Sequence, residues 1–121
     1  MATETQTFID DPVGALECLG DEYSLQILSV TLNDEKSAKD ISDVLDIPIA
    51  TVYRRIESLV EAGFLEYEGK QLTNEDKRVK MYQSYLDEVK VTFEGGEPRI
   101  MIDKHTDAQR TIDQAWRNLR E

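Results

Sequence analysis

The sequence contains a single cysteine, Cys18, and a single histidine, His105. One cysteine excludes a disulfide bond within the chain, and one residue of each kind cannot complete a zinc site. The longest apolar runs are a few residues, far short of the roughly 20 that a membrane-spanning helix needs. The opening residues, MATETQTFIDD, show no basic segment followed by an apolar one, so no signal peptide is predicted. These absences predict a cytoplasmic, soluble protein with no metal, no cofactor and no membrane partner.

Residue sets that perform catalysis are also missing. The sequence has no glycine-rich phosphate loop, no Ser–His–Asp set and no carboxylate pair with a plausible pocket. We therefore predict no catalytic residues and a protein that is not an enzyme. Cys18 lies between Leu16 and Leu19, which favours a buried, inert thiol, and a thiol switch is the alternative. His105 precedes a helix cap and is expected at the surface.

Basic residues are scarce: 14 Lys and Arg stand against 25 Asp and Glu, for a net charge of −11. Residues 1–46 hold eleven acids and two bases, a net charge of −9, whereas residues 47–121 hold fourteen acids and twelve bases, a net charge of −2. An acid-rich surface is typical of proteins in multimolar salt, where the Debye length is about 3 Å or less. This predicts a halophilic protein, with an ordinary acidic protein as the alternative. The bases concentrate in the part of the chain that would contact a polyanion.

The length of 121 residues predicts one domain that can bury a core without disulfides. Residues 1–8 lack periodicity and predict a flexible tail. Asp11, Pro12 and Gly20 delimit a short first helix. A second helix follows, and Tyr23, Ile27 and Leu28 form its apolar stripe, with Leu25 and Val30 at less central positions.

The segment SAKDISDVLDIPIATVYRRIESLVEAGFLE has the pattern of two short helices joined by a tight turn. Ser37 followed by Asp40 resembles a capping box, and Pro48 cannot continue the first helix. Gly63 stands where the second helix, over 49–62, needs a C-cap. The inward-facing apolar positions are Ile41, Val44 and Leu45 in the first helix and Val52, Ile56 and Leu59 in the second.

Two hairpins and a last helix are predicted downstream. FLEYEG and VKMYQSYL predict strands around a polar, basic tip, a wing over 69–79. EVKVTFEGGEPRIMID alternates around Gly95-Gly96 and predicts a hairpin over 87–104, whose second strand Pro98 places at a sheet edge. Residues 105–121 predict an amphipathic helix capped by Thr106.

The predicted fold class is α+β. A winged helix-turn-helix domain, with a three-helix core and a β-wing, is expected over 9–86. An extra β-hairpin and a C-terminal dimerisation helix are expected to follow it.

The segment from Ser37 to Gly69 resembles the core of the winged helix-turn-helix transcription regulators, of the ArsR-like type abundant in archaea. ALECLGDEYSLQILSVTL is similar to the helix that precedes the motif in that family, and VKMYQSYLDEVKV fits the strand after the wing. The resemblance covers roughly residues 12–94 and implies transcription regulation through DNA binding. Metal-sensing members of the family use clusters of Cys or His, so the resemblance does not imply metal sensing here.

The second helix of the motif presents a face suited to the major groove of double-stranded DNA. At 100° per residue, Ala50, Arg54, Glu57 and Glu61 point away from the buried side. Arg54 can bind guanine O6 and N7 with two hydrogen bonds, and Arg55 lies nearer the core flank, where a phosphate contact is expected. An arginine pair on a solvated amphipathic helix is the alternative. The candidate DNA-binding residues are Lys39, Ile49, Ala50, Thr51, Tyr53, Arg54, Arg55, Lys70, Lys77, Arg78 and Lys80.

The stripe of the C-terminal helix has little left to pack against once a small winged domain closes its core. Pairing with its twin across a two-fold axis would bury it, so a homodimer is predicted, with packing inside the chain as the alternative. The candidate interface residues are Ile112, Ala115, Trp116 and Leu119. The alternative to a DNA-binding regulator is a winged-helix module that binds other proteins, which the net acidity favours. The sequence does not indicate a small-molecule effector.

Overall fold

The computed structural model describes residues 5–32 and 34–104, together with Trp116 and Leu119. The elements run β1 (Thr5–Phe8), α1 (Pro12–Leu19), α2 (Glu22–Thr31), β2 (Lys36–Ser37), α3 (Ala38–Leu45), α4 (Ile49–Ala62), β3 (Glu66–Leu72), β4 (Arg78–Gln83), β5 (Leu86–Glu94) and β6 (Glu97–Lys104). The strands form two antiparallel sheets, ordered β2–β4–β3 and β1–β6–β5. The predicted α+β winged helix-turn-helix class is confirmed. No helix in these described ranges has the length and apolarity to cross a membrane.

Helices α1 and α3 begin at side-chain caps that the sequence predicted. Asp11 caps α1, and its carboxylate accepts a hydrogen bond from the Gly14 N–H at 3.1 Å. At α3, the Ser37 hydroxyl accepts from the Asp40 N–H at 3.1 Å, while the Asp40 carboxylate accepts from the Ser37 N–H at 3.2 Å. This reciprocal pair satisfies two backbone donors that a helix start otherwise leaves without partners.

The turn between α3 and α4 and the end of α4 both need left-handed backbone. Asp46 adopts φ 55°, and Ile47 behind it is buried, which anchors the turn in the core. Gly63 adopts φ 88° and ends α4 by donating its N–H to the Leu59 and Val60 carbonyls. A Cβ at Gly63 would meet only the Ile102 side chain at 3.9 Å, so the backbone angle rather than space requires glycine.

A single hydrophobic core joins the helices to the second sheet. Val52, Ile56 and Leu59 are buried on α4, as predicted. Ile100 and Ile102 of β6 belong to the same buried cluster. The hairpin therefore completes the core of the winged domain, and the predicted boundary at residues 86 and 87 does not separate two packing units.

The N-terminal tail predicted over residues 1–8 is wrong for its second half. Thr5–Phe8 form β1, which pairs antiparallel with β6 from Thr5↔Lys104 to Phe8↔Met101. Backbone hydrogen bonds hold this strand, and its side chains from Gln6 to Phe8 are exposed. Because no side-chain face of such a strand is buried, its sequence does not show the alternation of apolar and polar residues that predicts a strand.

Pro98 does not mark an edge strand, because β6 is the central strand of its sheet. The pairing of β1 stops at Met101, and the Ile9 N–H then reaches the Ile100 carbonyl at 2.9 Å. Pro98 lies beyond that point and has only β5 beside it, opposite Phe93. The missing N–H of proline is therefore tolerated in a strand that is central only over its second half.

Several residues predicted to face inward are exposed. Val44 of α3 is 59% exposed, whereas Ile41 is fully buried, because α3 contacts the core along a narrow stripe. Tyr23 and Leu25 of α2 are also exposed, while the neighbouring Ile27 and Leu28 are buried. The inward faces of these short helices are narrower than the apolar patterns suggested.

Trp116 and Leu119 are helical, and their side chains are 61% and 77% exposed. The single chain thus leaves both predicted interface side chains uncovered. Ile112 and Ala115, the other two, lie outside the described residues.

An ion pair ties the start of α2 to the middle of α4. Asp21 caps α2, and its Oδ2 accepts from the Ser24 N–H at 2.9 Å and from the Arg55 Nε–H at 2.8 Å. Burial alone would raise the pKa of Asp21, but hydrogen bonds from Ser24 and the nearby Arg55 guanidinium outweigh it and lower that pKa. One carboxylate oxygen therefore caps a helix and fixes the orientation of α4.

We expect Asp21→Ala to lower the free energy of unfolding by about 1–3 kcal/mol, because it removes both a cap and a partly buried ion pair. Asp43→Ala, which breaks only the exposed Lys39–Asp43 pair, should change it by no more than about 0.5 kcal/mol. Denaturant titrations measure both values. A loss of stability no larger in Asp21→Ala than in Asp43→Ala would contradict the assigned role.

The ion pair between Asp21 and Arg55 also predicts that the stability of the fold depends on pH. The pKa of Asp21 is lowered in the folded state. Its contribution to the free energy of unfolding is therefore complete above the ordinary aspartate pKa of about 3.9, and it is lost as the pH falls through the pKa of the folded state. The stability gap between the wild type and Asp21→Ala should therefore narrow below about pH 4. Denaturant titrations at pH 7 and in steps below pH 4 test this, and a constant gap would refute it.

Candidate nucleic-acid interface

Helix α4 presents its outward face to solvent along its whole length. Because Val52, Ile56 and Leu59 are buried, Ala50, Arg54 and Glu57 project from the opposite side and are exposed. Ile49 and Tyr53 are exposed beside them, and Thr51 is half-buried. The first two turns of α4 thus offer small, polar and basic side chains, whereas the last two turns offer Glu57 and Glu61.

The wing is the β3–β4 hairpin, and its pairing places three bases on one face. Lys70 lies opposite Lys80, Leu72 opposite Arg78, and Tyr67 opposite Tyr82. Paired residues in an antiparallel ladder point to the same side, as do residues two apart on one strand. Lys70, Arg78 and Lys80 therefore share the face that carries Tyr67 and Tyr82.

The wing tip is closed by Thr73. Its backbone N–H donates to the Lys77 carbonyl at 2.8 Å, and its hydroxyl accepts from the N–H groups of Glu75 and Lys77 at 3.3 and 3.2 Å. Asp76 completes the turn at φ 60°. The tip therefore has a defined backbone, and it holds Lys77 and Arg78 where the second strand begins.

The basic residues divide into paired and unpaired groups. Within residues 5–32 and 34–104, seven bases have a carboxylate within 4.0 Å: Lys36, Lys39, Arg55, Lys77, Lys90, Arg99 and Lys104. The four without such a partner in those ranges are Arg54, Lys70, Arg78 and Lys80. All four are exposed on α4 or on the wing.

The Lys70–Lys80 pair is unfavourable by itself. Like charges directly opposite each other on neighbouring strands destabilise a hairpin. Neither ammonium has a carboxylate within 4.0 Å among the described residues, although the chain carries 25 acids. An anion from outside the chain would relieve this repulsion.

Three predicted contact residues are already engaged. Arg55 donates from Nε to Asp21, on the flank of α4 that faces α1 and α2. Lys39 pairs with Asp43 at 3.2 Å and Lys77 with Glu75 at 3.8 Å, both at the surface. The structure thus gives Arg55 a role in orienting α4, which sequence spacing did not reveal because its partner lies 34 residues away.

A cleft of about 690 Å³ separates the second half of α4 from the wing. The rings of Tyr67 and Tyr82 stand in it with centroids 5.9 Å apart and planes at 57°. Burial raises the pKa of the Tyr82 hydroxyl, and the nearby Tyr53 and Tyr67 raise it further. Tyr67 and Tyr82 are not among the predicted site residues, because the alternation in FLEYEG is too short to assign faces.

A second crevice, of about 650 Å³, lies between β1, α1 and α4 and contains Cys18. The thiol is partly buried and 3.8 Å from the Ser58 carbonyl. Burial raises the pKa of Cys18, and the carboxylates of Asp21 and Glu17 raise it further, so the thiol stays protonated at neutral pH. The thiol is therefore less buried than predicted, and its inertness stays a prediction. In the described part of the chain, no three His, Cys, Asp or Glu side chains are grouped to hold a metal ion.

Comparison with known proteins places the motif in context. Residues 19–68, from the end of α1 into β3, match the family model described as "Helix-turn-helix domain". No curated protein matches the chain. Among solved structures, reduced HlyU from Vibrio cholerae is similar with 21% identity and a TM-score of 0.49, over 60% of this chain and 70% of that one. NolR from Sinorhizobium fredii is similar with 12% identity and a TM-score of 0.48, over 60% of this chain and 66% of that one.

The family match and the chain's own architecture agree on one domain type. The matched segment contains the two helices of the motif, α3 and α4, and the β3–β4 hairpin forms the wing beside them. The chain therefore contains a winged helix-turn-helix domain.

Proposed function

We propose that this protein is a sequence-specific regulator that binds double-stranded DNA as a homodimer. Helix α4 (49–62) enters the major groove, and the wing (69–79) lies on the backbone or the minor groove. The observation that carries the proposal is the position of the unpaired bases. Arg54, Lys70, Arg78 and Lys80 lack an acid partner in the described chain, and all lie on these two elements.

The distribution of acids along α4 defines which part of the helix contacts the bases. Ile49, Ala50, Thr51 and Tyr53 occupy its first turns with Arg54 and carry no negative charge. Glu57 and Glu61 are exposed on the last turns and would repel phosphates. Contact is therefore confined to the N-terminal half, the half that usually meets base edges in helix-turn-helix proteins.

The remaining candidates take secondary roles. Arg55 supports α4 through its ion pair with Asp21, so we do not propose it as a primary phosphate contact. Lys39 and Lys77 have exposed acid partners that a phosphate could displace at small cost, since exposed ion pairs contribute only about 0–1 kcal/mol. We keep both as peripheral phosphate contacts.

The homodimer is proposed from the exposed Trp116 and Leu119. A large aromatic side chain that is 61% exposed on a helix is a common anchor of protein interfaces. One recognition helix covers only a few base pairs, so two copies on a palindrome, with half-sites about one helical turn apart, would provide operator-length recognition.

The acidic composition supports a halophilic protein, and the resemblance of residues 12–94 supports an ArsR-like regulator of archaeal type, for which we propose a cytoplasmic location. In multimolar salt the repulsion between an acidic protein and DNA is screened at separations beyond about 3 Å. The net charge of −11 is then compatible with DNA binding.

Arg54→Ala is the direct test of groove recognition. We expect it to weaken specific binding by about 1–3 kcal/mol and to relax the preference at one base position, because a bidentate arginine–guanine contact is lost. Arg99→Ala, which removes an arginine paired with Glu94 on the other sheet, is the matched control. Binding is measured on the operator recovered by genome-wide immunoprecipitation and on random DNA. Equal losses of binding free energy on the operator and on random DNA would show that Arg54 contacts only phosphates.

The wing is tested by salt dependence. Arg78→Ala combined with Lys80→Ala should weaken binding to all sequences and reduce the slope of log K against log salt by about 2, one unit for each lost phosphate contact. Lys36→Ala combined with Lys90→Ala removes two bases that already have acid partners and should leave the slope unchanged. An unchanged slope in the wing variant would exclude contact with the backbone.

Trp116→Asp tests the assembly. The charged side chain should abolish the dimer and weaken operator binding while the monomer stays folded. Phe93→Asp is the comparison, because Phe93 is 73% exposed on the β5–β6 hairpin and is not assigned to the interface. Light scattering after size exclusion gives the mass of each. A Trp116→Asp protein that remains a dimer would show that the interface lies elsewhere. A wild-type protein that is monomeric at micromolar concentration would refute the dimer.

The acidity also leaves the protein-interaction module as a second candidate. Gel shifts at increasing salt, with the protein's own promoter, separate the two functions. The absence of a shift at any salt concentration would favour the interaction module.

A further inference from the structure

The cleft between α4 and the wing is lined by Glu57, Tyr67 and Tyr82, which the proposed DNA contacts do not use, and by Tyr53 and Lys80, which they do. Its aromatic lining comes from Tyr53 on α4 and from Tyr67 and Tyr82 on the wing sheet. The charged groups at the cleft are Glu57, Glu61 and Lys80, a net charge of −1. Tyr53 and Tyr67 are exposed to solvent and Tyr82 is buried at the base, so the cleft is open to a small ligand.

This combination of groups selects for one kind of ligand. The exposed rings of Tyr53 and Tyr67 line the cleft from α4 and from the wing, and Tyr67 packs against the buried Tyr82 ring with centroids 5.9 Å apart. The faces of such rings attract cations. Inside the cleft an anion would meet the carboxylates of Glu57 and Glu61 against the Lys80 ammonium, whereas Lys70 and Arg78 lie on the same wing face but do not line the cleft. A hydrated alkali ion gains from the carboxylates but little from the rings, whereas a methylated ammonium is weakly hydrated and gains from both.

We propose that the cleft between α4 and the wing binds an organic ammonium ion, with its methylated head between Tyr67 and Tyr53 and its charge toward Glu57. A ligand with an anionic group on the same molecule would extend it toward Lys80. This site supplies a small-molecule class for a protein whose effector the sequence does not reveal. It does not require DNA, and it lies between the two elements proposed to contact DNA.

Choline is the first probe, and 3,3-dimethyl-1-butanol, its neutral isostere, is the matched control. Tyrosine-ring and backbone amide shifts are followed by NMR on the full chain, with sodium chloride added to a parallel sample at equal ionic strength. We expect choline to shift the Tyr67 and Tyr82 rings in a saturable way at millimolar concentration. The neutral isostere should bind at least about tenfold more weakly, since it lacks the cation–π attraction.

Variants locate the site. Tyr67→Leu and Glu57→Gln should each weaken choline binding about two- to fivefold, the range expected for one exposed cation–π or ionic contact. Tyr67→Phe keeps the ring and should retain binding, which separates loss of the π face from loss of fold. Tyr23→Leu and Glu22→Gln, exposed on α2, should have no effect.

Three outcomes would overturn the proposal: equal shifts from choline and its isostere, shifts reproduced by sodium chloride alone, or full binding by Tyr67→Leu. None of them bears on DNA binding, which the Arg54 and wing variants test separately.

Discussion

The burial of one face of α4 is the constraint on which the rest of the structure depends. Val52, Ile56 and Leu59 are 0–3% exposed, and removing three such side chains from water contributes several kcal/mol. Their spacing fixes the rotation of the helix about its axis. Once these three positions face inward, Arg54 must project outward, Arg55 must lie toward α2, and Tyr53 must face the wing. The chemistry of each flank follows from this rotation.

Two contacts preserve that orientation from opposite sides. On one flank, Arg55 reaches back 34 residues to Asp21, which also caps α2, so that breaking one ion pair would disturb two helices. At the helix end, Gly63 turns the chain so that Phe64 and Leu65 are buried and β3 begins beside α4. The wing is therefore positioned by the same residues that terminate the recognition helix.

The sequence predicted what depends on local periodicity and caps, and it failed where long-range partners decide. The bounds of α4, the capping box at Ser37 and the C-cap at Gly63 are confirmed because a 3.6-residue period and neighbouring residues determine them. The strand at Thr5–Phe8 was missed because a partner nearly 100 residues away supplies its hydrogen bonds. The ion pair between Arg55 and Asp21 was missed for the same reason, since no spacing rule connects the two residues.

The candidate nucleic-acid interface also has one part that local spacing predicts and another that depends on long-range strand pairing. The exposed position of Arg54 follows from helical spacing alone. Which wing bases share a face depends on the register of β3 and β4, which is shifted by the irregularity between Tyr67 and Gly69. Without that shift, Lys70 would lie on the side opposite Tyr67, because alternation along a strand has a period of two.

An acidic protein can present a cationic surface without carrying many bases, provided that most bases are neutralised elsewhere. Seven of the eleven bases within residues 5–104 lie within 4.0 Å of a carboxylate, so their fields are largely cancelled at short range. The four others lie on α4 and the wing, where Lys70 and Lys80 repel each other across the ladder. That repulsion opposes the fold and favours an external anion. A hairpin with this arrangement gains stability on binding a phosphate backbone, so the cost in the free protein becomes a driving force for the complex.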